Sequence, residues 1–106
     1  MDESALKAAI AGQVRVGAHG WKGLSAHDDG LDIDAVRASI VTNGAIIEDY
    51  PDDVRGPSAL LLSFLSDGSP VHTVWAWHNP GDFPFLITIY RPNTSKWLPN
   101  FRMRRP

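Results

Sequence analysis

The chain carries four histidines, His19, His27, His72 and His78, and imidazole is the side chain best suited to moving protons near neutral pH. Two of them fall in SPVHTVWAWHNPG (69–81), a stretch that otherwise reads as a strand. Side chains alternate along a strand. Val71, Thr73, Trp75 and Trp77 therefore share one face, and His72, Val74, Ala76 and His78 share the other. His72 and His78 lie about 20 Å apart along such a strand. They cannot hold one ion whose ligands sit about 2 Å from it. His19 and His27, if helical, are about 12 Å apart along the axis. The chain has no cysteine, so no thiolate site arises either, and we expect neither metal nor cofactor. Tyr90 and Arg91 close a later strand and point to opposite faces. Arg102, Arg104 and Arg105 crowd the segment after it. A hydrogen-bonded structural role is the plainer reading of His72, and exposure at a loop edge that of His78.

These groups need a scaffold. Ser4 can cap a helix running to about Ala11, with Gly12 as its stop. QVRV (13–16) reads as an extended connector. The stretch 18–30 places Trp21 and Leu24 at helical spacing, but Gly20 and Gly23 weaken it to a distorted helix. Asp32 is a good N-cap for a helix bearing Ile33, Val36, Ile40 and Val41, ended by Asn43 and Gly44. The period then changes from helical to alternating. AIIEDY (45–50), SALLLSFL (58–65), VHTVWAWH (71–78) and FLITIYR (85–91) read as four strands separated by turn residues. Residues 92–106 show no periodicity. The order predicts an α+β domain over 1–106, with two or three N-terminal helices packed on one face of a four-stranded antiparallel sheet.

At 106 residues, 43% hydrophobic and 21% charged, the chain has the length and composition of one globular domain. Its start is acidic, and apolar runs such as 59–62 are far too short to span a bilayer. A cytoplasmic protein without a membrane partner is the expectation. The net charge of −2 conceals an asymmetry. Residues 1–53 carry four basic side chains against ten acidic ones, and residues 54–106 carry six against two. Such a basic half marks a nucleic-acid surface, unless it folds back onto the acidic half.

The order of motifs resembles the bacterial domain of unknown function 4258 (DUF4258) family. IIEDYPDD followed by GPSALLL, PVH at a strand start, and ITIYRP followed by Trp97 carry the resemblance. His19 matches a histidine that opens the family's second helix, and Leu24 matches a methionine. Gly23 stands where an arginine is usual, and His27 falls near a second arginine position. The family is distantly similar to RelE/ParE and BrnT-like toxins, so the resemblance implies a RelE-like fold, RNA as target and an antitoxin as protein partner.

A metal-free ribonuclease uses the ribose 2′-OH as nucleophile and needs a base, an acid and cations around the phosphate. Under that implication His19 and His72 would transfer protons, and Tyr90 and Arg91 would orient or stabilise the phosphate. Lys22, Arg102, Arg104 and Arg105 would hold its oxygens, although Lys22 lacks the arginine fork. Plainer roles compete with each assignment. Tyr90 can be a sheet residue, Arg91 can pair with an acid such as Glu48 or Asp49, and 101–105 can be a solvated tail. The tryptophans can be core. A non-catalytic protein-interaction domain, or a degenerate toxin that keeps only partner or nucleic-acid binding, is therefore the competing expectation.

Overall fold

Both helices bury an i, i+4 apolar pair, which is the minimum stripe that can seat a short helix on a sheet. The structure is a computed structural model and describes residues 1–16, 31–54, 56–78 and 82–106. The distorted helix expected over 18–30, with Trp21, Gly23, Leu24 and His27, lies outside these residues. Helix α1 (Glu3–Ala11) buries Leu6 and Ile10. Its N-cap is Asp2, whose carboxylate accepts from the Ala5 N–H at 2.9 Å, and not the expected Ser4. An aspartate satisfies the same orphan donor and adds a favourable charge at the helix start. Helix α2 (Ile33–Asn43) begins at the expected cap Asp32 and buries Val36 and Ile40. Val41 remains exposed, one residue round from the buried stripe. Arg37 joins the two helices, donating from Nε to the Ile10 carbonyl at 3.1 Å and from Nη2 to the Gly12 carbonyl. A cation here meets the negative end of α1.

Strands β2 (Ala45–Tyr50), β3 (Ser58–Phe64), β4 (Pro70–Ala76) and β5 (Phe85–Tyr90) form an antiparallel meander. The expected connector at 13–16 contains instead a two-residue strand, β1 (Arg15–Val16), paired parallel to β5. A strand this short has no signature of its own; the exposed edge of β5 creates it. The sheet order is β1-β5-β4-β3-β2.

Alternation divides the sheet into two faces. Ala59, Leu61, Val71, Trp75, Leu86 and Ile89 join Leu6, Ile10, Val36 and Ile40 in the core beneath the helices. The β4–β5 register slips between Val74 and Trp75. Ile87 is the extra residue, which lets Leu86 and Ile89 face the same way. The opposite face carries Leu60, Leu62 and His72, and all three are buried. Over His72 lies the chain after β5. Residues 96–105 form a tight hairpin in which Leu98 N–H meets the Met103 carbonyl and Arg105 N–H meets the Lys96 carbonyl, both at 2.9 Å. The architecture is α+β with three layers: helices, sheet, C-terminal hairpin. Among the described residues no helix is long and apolar enough to cross a membrane.

Gly44 ends α2 against its own last turn. A Cβ there would lie 2.7 Å from the Ile40 carbonyl oxygen and 2.9 Å from the Ile40 Cα. These are backbone atoms, so no side-chain rotation relieves the clash. We expect Gly44→Ala to destabilise the fold by about 1–3 kcal/mol, as overpacking does. Urea denaturation at pH 7 checks this, and an unchanged midpoint would show that the turn gives way freely.

Candidate functional site

His72 sits in the middle of the hairpin-covered face because β4 alternates and its odd-numbered neighbours are taken by the core. Its ring is 0% exposed. The β4–β5 register sets it opposite Tyr90, and its Nδ1 lies 3.1 Å from the Tyr90 hydroxyl. Its Nε2 lies 2.8 Å from the Phe101 carbonyl oxygen. A carbonyl only accepts, so Nε2 carries the hydrogen. Nδ1 then holds the lone pair and accepts from Tyr90. Both nitrogens are therefore engaged in the neutral ring. Trp97, 3% exposed, packs edge-on against His72 with centroids 4.4 Å apart, and Tyr90 does so at 5.2 Å.

A second layer lies over the first. Glu48 and Tyr50 share a face of β2 by alternation, and the Tyr50 hydroxyl donates to Glu48 Oε1. Arg104 donates to both Glu48 oxygens, from Nε at 2.9 Å and Nη2 at 3.0 Å. Its guanidinium also lies over Trp97, 4.7 Å from the ring centroid. The hairpin is thus pinned by a buried indole, a bidentate ion pair and the His72–Phe101 hydrogen bond. Phe101 adopts φ 60° at the bend, an uncommon conformation for an aromatic residue.

Electrostatics fixes the charge state of each group. Burial lowers the His72 pKa below its usual 6.5, and Arg104 adds to this; the Phe101 hydrogen bond and the Glu48 charge oppose it. The Arg104 hydrogen bond leads in lowering the Glu48 pKa, with Tyr50 helping and burial opposing. Burial and the bond to Glu48 raise Tyr50. Burial raises Tyr90. The Glu48 hydrogen bond raises Arg104.

Of the residues expected to carry chemistry, His72 and Tyr90 are in direct contact, and Arg104 reaches them through Trp97. Arg91 is elsewhere: its Nη1 donates to Ser69 Oγ at 3.1 Å beside the β3–β4 turn. The carboxylate that feels its charge is Asp67, in place of Glu48 or Asp49. Arg104 holds Glu48, and the N-terminal amine holds Asp49 at 2.6 Å. Arg105 donates to the Thr94 carbonyl. Arg102 and Lys96 are exposed. His19 and Lys22 lie outside the described residues. His78 is exposed, with its ring over Gly56, which takes φ +94°. Sequence reasoning missed Glu48, Trp97 and Phe101 as parts of this cluster. The i, i+2 spacing of Glu48 and Tyr50 was the available signal for one polar face. Among the described residues no three His, Cys, Asp or Glu side chains gather as metal ligands would.

The family described as "Domain of unknown function (DUF4258)" matches residues 24–91. The chain belongs to this family. No curated protein and no solved structure matches it. In this DUF4258 chain the matched segment supplies Glu48, His72 and Tyr90, whereas Trp97, Phe101 and Arg104 lie beyond it.

The two anchors of the hairpin differ in weight. Removing a buried indole costs about 3–5 kcal/mol. A largely exposed ion pair contributes at most about 1 kcal/mol. Urea denaturation of this DUF4258 domain should therefore rank Trp97→Ala as far more damaging than Glu48→Gln. The reverse ranking would mean that the ion pair, and not the indole, holds the hairpin.

Proposed function

We propose that the chain is a toxin-like domain that binds RNA through its C-terminal hairpin and does not cut it. The observation that carries this reading is the state of His72: buried, neutral, and with both ring nitrogens engaged. A general base needs a free lone pair within reach of the proton it takes, and this ring offers none. The cations point the other way. Residues 92–106 contain Lys96, Arg102, Arg104 and Arg105 and no acidic residue. Arg104 is tied to Glu48, while Lys96, Arg102 and Arg105 are exposed on a hairpin already fixed to the sheet. A backbone already ordered on the sheet adds no segment-ordering cost at the moment of binding. Helices followed by an antiparallel meander is the order that RelE-like toxins are expected to have, which supports the toxin-like part of the reading. An antitoxin partner and a cytoplasmic location go with it.

The test uses a fluorescent single-stranded RNA and two readouts. Anisotropy across a salt series should give a slope of log affinity against log salt of about −2, as about three cations on a single strand would. Replacing Lys96, Arg102 and Arg105 together by Gln should bring that slope near zero. The same RNA should stay intact in EDTA. Cleavage that disappears in His72→Gln would restore the ribonuclease reading. Weak binding with no salt dependence would leave the protein-interaction reading.

A further inference from the structure

The hairpin covers His72 at one end of the second sheet face, and the other end of that face presents aromatic rings. Alternation in β4 puts Ala76 on the same side as His72. Strand pairing sets Phe85 opposite Ala76 and Arg15 beside Phe85, so both share this face. Phe85 is 40% exposed, and Phe83, two positions earlier, is 43% exposed. The exposed Arg15 guanidinium lies over the Phe83 ring, 5.6 Å from its centroid. Arg15 thus links the two rings into one surface. Between them and the hairpin, Val74 and Thr88 face each other half-buried.

We propose that Phe83, Phe85 and Arg15 form a stacking platform for unpaired RNA bases, which makes the target a single strand and not a duplex. This rests on the RNA reading above and deepens it. The hairpin cations hold the backbone, and the platform selects strands whose bases are free.

The chemistry matches each part. Every base has a π-face, so an exposed phenyl ring stacks on it with little regard to sequence. A guanidinium is a planar cation that stacks on aromatic rings and bases alike. Held on Phe83, Arg15 serves the bases and not the phosphates, so the salt dependence remains that of the hairpin. In a duplex the bases are stacked on one another, and the platform gains nothing from them. The reach is also right. Phe85 stands five positions before Tyr90, about 17 Å along β5, and Tyr90 meets His72 under the hairpin. A few nucleotides bridge that distance, so one strand can engage both ends of the face. An apolar protein strip fits this surface less well, because it would bury the Arg15 cation together with the rings, and burying an unpaired charge is costly.

The test uses the full chain and three fluorescent probes: a single-stranded RNA, the same strand annealed to its complement, and an abasic strand of equal length and charge. At one fixed salt concentration the unmodified chain should bind the single strand about tenfold more tightly than the abasic strand, the effect of stacking about one base. In Phe85→Leu, which keeps apolar bulk but has no π-face, that advantage should vanish. Affinity for the abasic strand and the duplex, and the salt slope, should stay as they were. Phe85→Trp should bind the single strand at least as tightly as the unmodified chain. Equal binding of the single and abasic strands by the unmodified chain would overturn the platform while leaving RNA binding by the hairpin intact. An equal loss for all three probes in Phe85→Leu would also overturn it, since the ring would then only support the fold. Absence of salt-dependent binding to every probe, the abasic strand included, is instead the failure of the RNA reading itself, and the platform falls with it. Should Phe85→Leu fail to fold, the comparison of single and abasic strands on the unmodified chain decides the matter alone.

Discussion

A buried imidazole has two nitrogens to satisfy, and the second face of this sheet is organised around that requirement. One partner is provided by strand register, which sets Tyr90 opposite His72. The other cannot come from the sheet, whose own carbonyls are paired in the ladder. It comes from Phe101, eleven residues beyond the end of β5. The chain must therefore turn back over the strands, and Trp97 travels with it to pack against the imidazole. An unsatisfied buried donor costs about 1–3 kcal/mol. The left-handed conformation of Phe101 costs about the same, so the hydrogen bond and the covering of apolar surface together offset the strain at the bend.

Charge follows the same path. The acidic first half and the basic second half meet where Arg104 reaches Glu48, and the N-terminal amine meets Asp49 one residue on. Both contacts land on β2, the edge strand. Glu3 also accepts from the Ile46 N–H at 2.8 Å. An edge strand with open donors invites pairing with another chain. Here one terminus blunts that edge from the helix side and the other reaches it from the hairpin side. The asymmetry visible in the composition is thus partly internal: Arg104 is neutralised within the fold, and the exposed cations beside it are what faces outward.

The parts of the fold that were legible are those where a period repeats. Val36 and Ile40 marked α2, and alternation in β4 correctly set His72 away from Val71 and Trp75. What could not be read depends on contacts distant in sequence. β1 exists only because β5 has an edge to pair, and Asp2 displaces Ser4 as cap by a choice between two equally suitable residue types. The bulge at Ile87 changes which residues of β5 face the helices without changing the apolar character of the strand. The hairpin was hardest, because three prolines and no period in residues 92–106 say only that the segment is irregular. Nothing local in PNFRM announces that the Phe101 carbonyl will meet an imidazole twenty-nine positions earlier.

The candidate site was legible in its members more than in its roles. His72, Tyr90 and Arg104 do gather, but their electrostatics opposes proton traffic. A useful base at neutral pH has a pKa raised toward 7 if it is a carboxylate, and a useful phenolic acid has one lowered. Here Glu48 is lowered and both Tyr50 and Tyr90 are raised. His72, the one group whose ordinary value is suitable, is moved down by burial and lacks a free lone pair. Every shift deepens the charge state that each group already has at neutral pH. A face built this way holds positions and charges constant, as recognition requires.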